Sequence, residues 1–336
     1  MITVYTTCPS SHEITPEAFR RRIVDVARWT EDADCRGLLV YTDNTLVDPW
    51  ATAQAMIAAT ERLVPLVAVQ PLYMHPYSVA RMISSIAFLY GRSVDLNLVT
   101  GGFAGHLREL GDLIDHDERY DRLVEYAKIV KKLLVGKRPV THLGRHYSLN
   151  AASIEPAMDP ALMPGILVSG TSEACERAQE ALGATRLAYP RAVDTYDASA
   201  QPLAGNGIRL GIIARDSAVD AWRIAHERFP SDELGEQLHR VAAEQVESQW
   251  HIGLSRDALS STGPLGCYWL HPFKVYKTFC PYLVGTYEDV AALLARYFDL
   301  GVRTIVLDVP READDLHHAR TALRLAEQLA ANPVPS

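Results

Sequence analysis

Three things are scarce in this 336-residue chain. Positive charge is the first: 33 Lys and Arg stand against 41 Asp and Glu, a formal net charge of -8. That leaves no basic surplus for a nucleic-acid footprint. Long apolar runs are the second, since nothing approaches the ~18 apolar residues of a membrane span. Cysteine is the third. Cys8, Cys35, Cys175, Cys267 and Cys280 are odd in number, widely spaced and contain no Cys-x-x-Cys pair. They read as reduced thiols, not as a disulfide framework or a metal site. The apolar start at Ile2 has no basic segment before it, so a cytoplasmic protein is expected. Compact catalytic motifs are missing too: no Gly-x-Ser-x-Gly, His-Glu-x-x-His, P-loop or Rossmann glycine fingerprint occurs. Thr100-Gly-Gly-Phe103 lacks the Lys-Ser/Thr ending of a phosphate loop.

Hydrophobic residues make up 48% and charged residues 22%, which suits a packed globular chain. Short runs rich in Val, Ile and Leu alternate with longer amphipathic stretches. Extended runs are expected at 2–6, 37–41, 65–70, 94–100, 165–169, 185–189, 207–214 and 303–308. Helical patterns follow, among them 16–29, 48–62, 77–90, 120–135, 172–182, 219–229 and 313–329. In the first of these Phe19, Ile23, Val26 and Ala27 share one face, and Thr15-Pro16 supplies a cap and a proline at the first helical position. Eight strand-helix units with apolar strands favour a closed α/β barrel, the (β/α)8 TIM barrel, over two smaller domains. A single barrel domain over 1–336 is therefore expected, with two insertions. Residues 136–164 contain what reads as one arm of a hairpin at Gly144–Leu149. Residues 230–281 form a long aromatic insertion, read as a lid.

In such a barrel the site lies on the loops that follow the strands. The residues there carry a resemblance. The stretch Arg81 to Arg92, then Asn97-Leu-Val-Thr-Gly101, then Asp115-His-Asp-Glu-Arg-Tyr120, resembles the bacterial luciferase-like flavin monooxygenases, nearest to their alkanesulfonate monooxygenase branch. Supporting matches are Asp48-x-Trp50, Ser169-Gly-Thr-Ser172, Gly207-Ile-Arg-Leu210 and Leu283-Val-Gly285. The similarity spans about residues 36 to 330.

The resemblance implies a two-component system. A separate flavin reductase supplies reduced FMN, and this chain reacts it with O₂ to form a C4a-peroxyflavin that oxidises a small organic metabolite. It implies cofactor contacts from Asn97, His116, Tyr120, Ser169, Thr171 and Ser172, and a homodimer or homotetramer. Ser169, Thr171 and Ser172 stand at a strand-to-helix junction, where free N–H groups and hydroxyls suit a phosphate dianion and also suit an ordinary helix cap. In the strand-seven run the branch carries Arg-Leu-His, and this chain has Arg209-Leu210-Gly211. Leu46 stands where the branch has Cys. Arg209, His12 and His75 are the catalytic candidates, either imidazole being able to replace the absent one as acid or base. Hydroxylation, N-oxidation and Baeyer–Villiger insertion are weighed beside desulfonation. A deazaflavin-dependent hydride transfer and a flavin-binding protein without catalysis are the other readings.

Overall fold

A computed structural model describes residues 2–12, 14–197, 202–246 and 248–331. Twelve strands are present among them: β1 Thr3–Thr7, β2 Gly37–Val40, β3 Val64–Val69, β4 Asp95–Leu98, β5 Val140–Leu143, β6 Ser148–Ala152, β7 Ile166–Ser169, β8 Thr185–Ala188, β9 Asn206–Arg215, β10 Tyr268–Trp269, β11 Tyr282–Thr286 and β12 Thr304–Leu307. The main sheet runs β10-β11-β9-β12-β1-β2-β3-β4-β7-β8, and β8 pairs back onto β9. The eight strands from β9 through β12 and β1 to β8 close a parallel (β/α)8 barrel, as the alternation of strand and helix predicts. Its seam joins the first strand to the last, with Thr3 opposite Thr304 and Tyr5 opposite Val306.

The chain divides into two compact units, residues 1–7, 28–36 and 187–336, and residues 8–27 and 37–186. In the second unit β3, β4 and β7 bury Val67, Leu96, Leu98 and Val168 against Ile83, Leu123 and Tyr126 of the helices Pro76–Tyr90 and His116–Val135. Strands buried on both faces need apolar residues at every position, which is why they read as unbroken runs. Local chemistry starts the helices where expected. The Asp48 carboxylate accepts from Trp50 N at 2.9 Å and Ala51 N at 3.1 Å, ahead of Pro49. Thr15 Oγ1 accepts from Ala18 N at 3.3 Å, ahead of Pro16. The helix expected from Tyr120 begins earlier, at His116. A short helix at Ala104–Glu109 was not foreseen. The hairpin is there, but Gly144 to Tyr147 is its turn and not an arm, closed by Gly144 N donating to Tyr147 O at 3.0 Å.

In the first unit β9 is ten residues long and serves twice. Gly207 to Leu210 pair with β12, and Gly211 to Arg215 pair with β11. The pair β11 and the helix Tyr287–Asp299 is a further strand-helix unit beyond the eight that were counted. The aromatic insertion is folded, with helices Glu233–Gln245, Gln249–Ser260 and His271–Lys274, and β10 pairs antiparallel with β11. Its aromatics have local partners: Trp269 packs edge-on against Trp222 and joins a core with Ile213, Phe229 and Val284.

Candidate active site

In the second unit the ends of β4 and β7 meet. Ser169 Oγ donates to Asn97 Oδ1 at 2.8 Å, so what the Asn97 amide retains to offer is its N–H donors. Tyr120 Oη donates to the Ser169 carbonyl at 3.1 Å. Burial pushes the Tyr120 phenol well up, so it remains a donor at neutral pH. Between these groups Gly170 holds φ at 146°, and a Cβ there would lie 2.3 Å from Tyr120 Oη and 3.1 Å from Cys175 Sγ. Only glycine fits. Ser172 then caps the helix Glu173–Leu182, its hydroxyl accepting from Cys175 N at 3.3 Å. Thr171 is exposed, and His116 packs its ring against Tyr120 at 5.2 Å while its Nδ1 meets Asp117 at 2.8 Å.

The ends of β2 and β3 border a cavity of about 220 Å³, lined among others by Asp43, Leu46, Asp48, Trp50, Gln70 and Tyr73. Tyr73 donates to Asn44 Oδ1, and Asn44 Nδ2 donates to the His106 carbonyl at 3.2 Å and to Glu109 at 2.8 Å. This ties the short helix Ala104–Glu109 to the loop after β2. A Cβ on Gly101, at φ 91°, would lie 3.0 Å from Gln70 Nε2, so the turn after β4 approaches the cavity wall.

The first unit contains a separate buried network. Arg209 Nη2 donates to Asp308 Oδ1 at 3.0 Å, and Thr278 and Tyr282 hydroxyls donate to Asp308 Oδ2 at 2.5 and 2.9 Å. Burial alone would raise the Asp308 carboxyl, but the Arg209 charge and these hydroxyls outweigh it and hold the group below its ordinary value. Arg209 Nη1 donates to Tyr189 Oη at 3.1 Å, and the Tyr189 ring stacks on Trp250 with centroids 3.7 Å apart.

Residues 1–304 match the family model described as luciferase-like monooxygenase. The chain belongs to the luciferase-like monooxygenase family. It is 34% identical over 319 residues to the 4-(gamma-L-glutamylamino)butanoyl-[BtrI acyl-carrier protein] monooxygenase BtrO of Niallia circulans, covering 92% of this chain and 93% of that protein. Among solved structures it is similar to a riboflavin lyase holding modified FMN and riboflavin, with TM-score 0.75, 16% identity and coverage of 100% of this chain and 97% of that one. It is also similar to the EDTA monooxygenase of Chelativorans sp. BNC1, with TM-score 0.73, 16% identity and coverage of 97% and 94%.

In this luciferase-like monooxygenase the six cofactor candidates fall at one junction of the second unit, with Thr171 on its exposed side. The catalytic candidates divide between the units, His12 and His75 in the second and Arg209 in the first. His12 is exposed, and among the described residues its side chain makes no hydrogen bond, ion pair or ring contact. His75 is the cap of the helix Pro76–Tyr90: its Nδ1 accepts from Tyr77 N at 3.2 Å, which leaves the proton of the neutral ring on Nε2, and its edge packs on Tyr147. Arg209 is buried and charge-paired in the other unit. Sequence reasoning placed Tyr189 only as part of a loop after a strand, without a role, and missed Thr278, Tyr282 and Asp308. An Arg inside the apolar run 207–214 was the available signal, since a buried guanidinium demands a carboxylate. No helix among the described residues is long and apolar enough to cross a membrane.

Proposed function

We propose that this chain is the oxygenating component of a two-component monooxygenase, using reduced FMN from a separate flavin reductase and O₂ to oxygenate a small acyl group carried as a thioester. The observation that carries the flavin reading is the cradle at Gly170. Backbone there cannot accept even a methyl group, and it opens onto the N-terminus of a ten-residue helix with the hydroxyls of Ser169, Thr171 and Ser172 beside it. Such a junction suits a phosphate dianion. The Asn97 amide supplies N–H donors for a flavin ring edge, and Tyr120 and His116 flank the same junction. When bound, reduced FMN supplies the electrons that send one oxygen atom into the substrate and the other into water.

The remaining roles belong to side chains. His75 offers an Nε2–H donor on a ring fixed by its capping bond, and His12 offers an exposed imidazole on the loop after β1. The cavity bordered by Trp50 and Tyr73 gives a space of about 220 Å³ in which aromatic rings stand beside the polar side chains of Asp43, Asp48 and Gln70. The acyl thioester follows from the name of the Niallia circulans relative. Arg209 supports a substrate other than a sulfonate, because its charge is already balanced by Asp308.

The test is product analysis. Photoreduced FMN, the protein and the butanoyl thioester of N-acetylcysteamine are mixed without oxygen, and ¹⁸O₂ is then admitted. A product gaining one labelled oxygen is expected. Absence of label in any product, or turnover with a reduced deazaflavin and no O₂, refutes the reading.

A further inference from the structure

Tyr189 follows the last residue of β8, at the end of a barrel strand where barrel enzymes place the residues that meet substrate. Its hydroxyl accepts from Arg209 Nη1, and among the described residues that hydroxyl donates to nothing. A polarised phenol therefore keeps its proton uncommitted. Its ring is stacked on one face and the backbone that follows it is tied at two carbonyls. Trp250 stacks on one face, the next carbonyl along, of Pro190, accepts from Tyr268 Oη at 2.9 Å, and that of Arg191 accepts from Tyr297 Oη at 2.6 Å. Both of those tyrosines are buried, so the loop that holds Tyr189 is fixed before any ligand arrives.

The charges behind the phenol decide what it can receive. Arg209 is 3% exposed and Asp308 balances it, while Asp308 is itself saturated by Arg209, Thr278 and Tyr282. A second anion would meet an ion pair and not a free cation. The space that the missing strand-seven imidazole would fill is taken by Tyr282, whose ring atoms lie 2.3 to 2.5 Å from where a Gly211 Cβ would stand. What remains is one oriented O–H, donated from a neutral ensemble beside an aromatic wall. That arrangement matches a neutral oxygen acceptor, and it gains strength if the oxygen becomes more negative.

We infer that Tyr189 is a catalytic residue whose hydroxyl binds the carbonyl oxygen of a neutral acyl substrate, with Arg209, Asp308, Thr278 and Tyr282 as its positioning residues. The inference rests on the thioester reading above and names the group within that substrate which the chain recognises. It also accounts for the tightness of the ion pair: Arg209 serves to orient and polarise the phenol, not to hold an anion. Burial raises the Tyr189 phenol more than the Arg209 charge lowers it, so the proton is retained across the neutral range.

The experiment compares two ligands on two proteins without flavin. Binding of the butanoyl thioester of N-acetylcysteamine and of the matching butyl thioether, which lacks only the carbonyl oxygen, is measured by calorimetry. Wild type is expected to prefer the thioester by about tenfold, the worth of one good hydrogen bond. Tyr189→Phe keeps the Trp250 stack and should lose that preference, binding both ligands alike. An Arg209→Lys variant should weaken the preference partially. The same preference in wild type and Tyr189→Phe overturns the inference, as does tighter binding of hexanesulfonate than of the thioester by wild type. A merely structural role would shift the melting temperature of Tyr189→Phe and leave the ligand ratio intact. Failure of wild type to incorporate ¹⁸O would instead remove the thioester reading, and the binding comparison separates the two.

Discussion

Replacing Gly211 by Ala probes how tightly the first unit is packed. The added Cβ would lie 2.3 Å from two carbons of the Tyr282 ring and 2.5 Å from a third. Ordinary carbon contacts begin near 3.5 Å, so the ring must retreat by about 1 Å. That retreat stretches the 2.9 Å bond from Tyr282 Oη to Asp308 out of range. Overpacking costs about 1–3 kcal/mol, and a lost hydrogen bond to a charged group about 1.5–3 kcal/mol. The smaller entropy of the unfolded alanine chain offsets about 0.4–1 kcal/mol. A net loss of about 2–5 kcal/mol is expected, read from guanidinium unfolding followed by tryptophan fluorescence. Tyr282→Ala alone should cost about 3–5 kcal/mol through its cavity. The double variant should cost little more than Tyr282→Ala, because the new methyl enters vacated space and the two changes are not additive. A Gly211→Ala protein within about 0.5 kcal/mol of wild type, or a double variant equal to the sum of the singles, would show that the ring does not sit over Gly211.

Four further outcomes are expected. Asp308→Asn should destabilise by about 3–5 kcal/mol, because it strands the buried Arg209 charge; a denaturation midpoint unchanged at pH 7 would contradict the pairing. Gly170→Ala should weaken FMN binding at least tenfold in a fluorescence titration, since backbone strain and the clash with Tyr120 both act at the cradle; wild-type affinity would argue against flavin there. Glu125 accepts from His142 at 2.9 Å and from the backbone N–H of His146 and Tyr147, and although its partial burial opposes this, these contacts hold its carboxyl below the ordinary 4.5. A folded value below the unfolded one means the stabilisation is complete above pH 4.5 and disappears as pH falls through the lowered value. Glu125→Gln should therefore be less stable than wild type at pH 7, with the gap closing in acid; a gap that grows in acid would reverse the assignment. Burial pushes Cys8 up to about 12, Cys35, Cys175 and Cys267 to about 11, and Cys280 well up. The four buried thiols, Cys8, Cys35, Cys175 and Cys280, should react slowly with a disulfide reagent at pH 8 and rapidly once unfolded, with the half-buried Cys267 the first to react, and a second fast-reacting native thiol would contradict their burial.

What the sequence made legible follows from how locally each feature is encoded. Strands such as 64–69 announce themselves because burial on both faces forces an unbroken apolar run. The Thr15 cap with its proline and the cap at Ser172 are short-range chemistry and stand where expected, and Asp48 and His75, each followed by a proline, start their helices in the same local way. The same locality explains a miss of emphasis: His75-Pro76 is a helix start, and its imidazole has a capping task that a search for acids and bases passes over. Partners far apart in sequence were invisible. Arg209 was singled out, but its contacts Tyr189 and Asp308 come from other strands, and nothing local to either residue announces the encounter. β11 escaped as a strand because Tyr282–Thr286 is short, ends in Gly-Thr and follows a turn-rich aromatic stretch; its Leu283-Val-Gly285 stood only as a match to the resembled family. The helices of the insertion escaped because abundant aromatics suggested a loop, although Glu233–Gln245 carries its own N-cap at Asp232.

The seam between β1 and β12 has a consequence for how the chain is made. On a ribosome β1 emerges long before β12, the neighbour that covers one of its edges. Until β12 is made, β1 carries an open edge, the kind of surface that recruits stray strands from other chains. The two threonines of its end find partners at different times: Thr6 meets Thr30 soon after, at 2.7 Å, while Thr7 waits for the Leu307 carbonyl of β12, also at 2.7 Å. Closure of the barrel thus waits for β12, and a message truncated before β12 would release a protein whose β1 is permanently unpaired on that side.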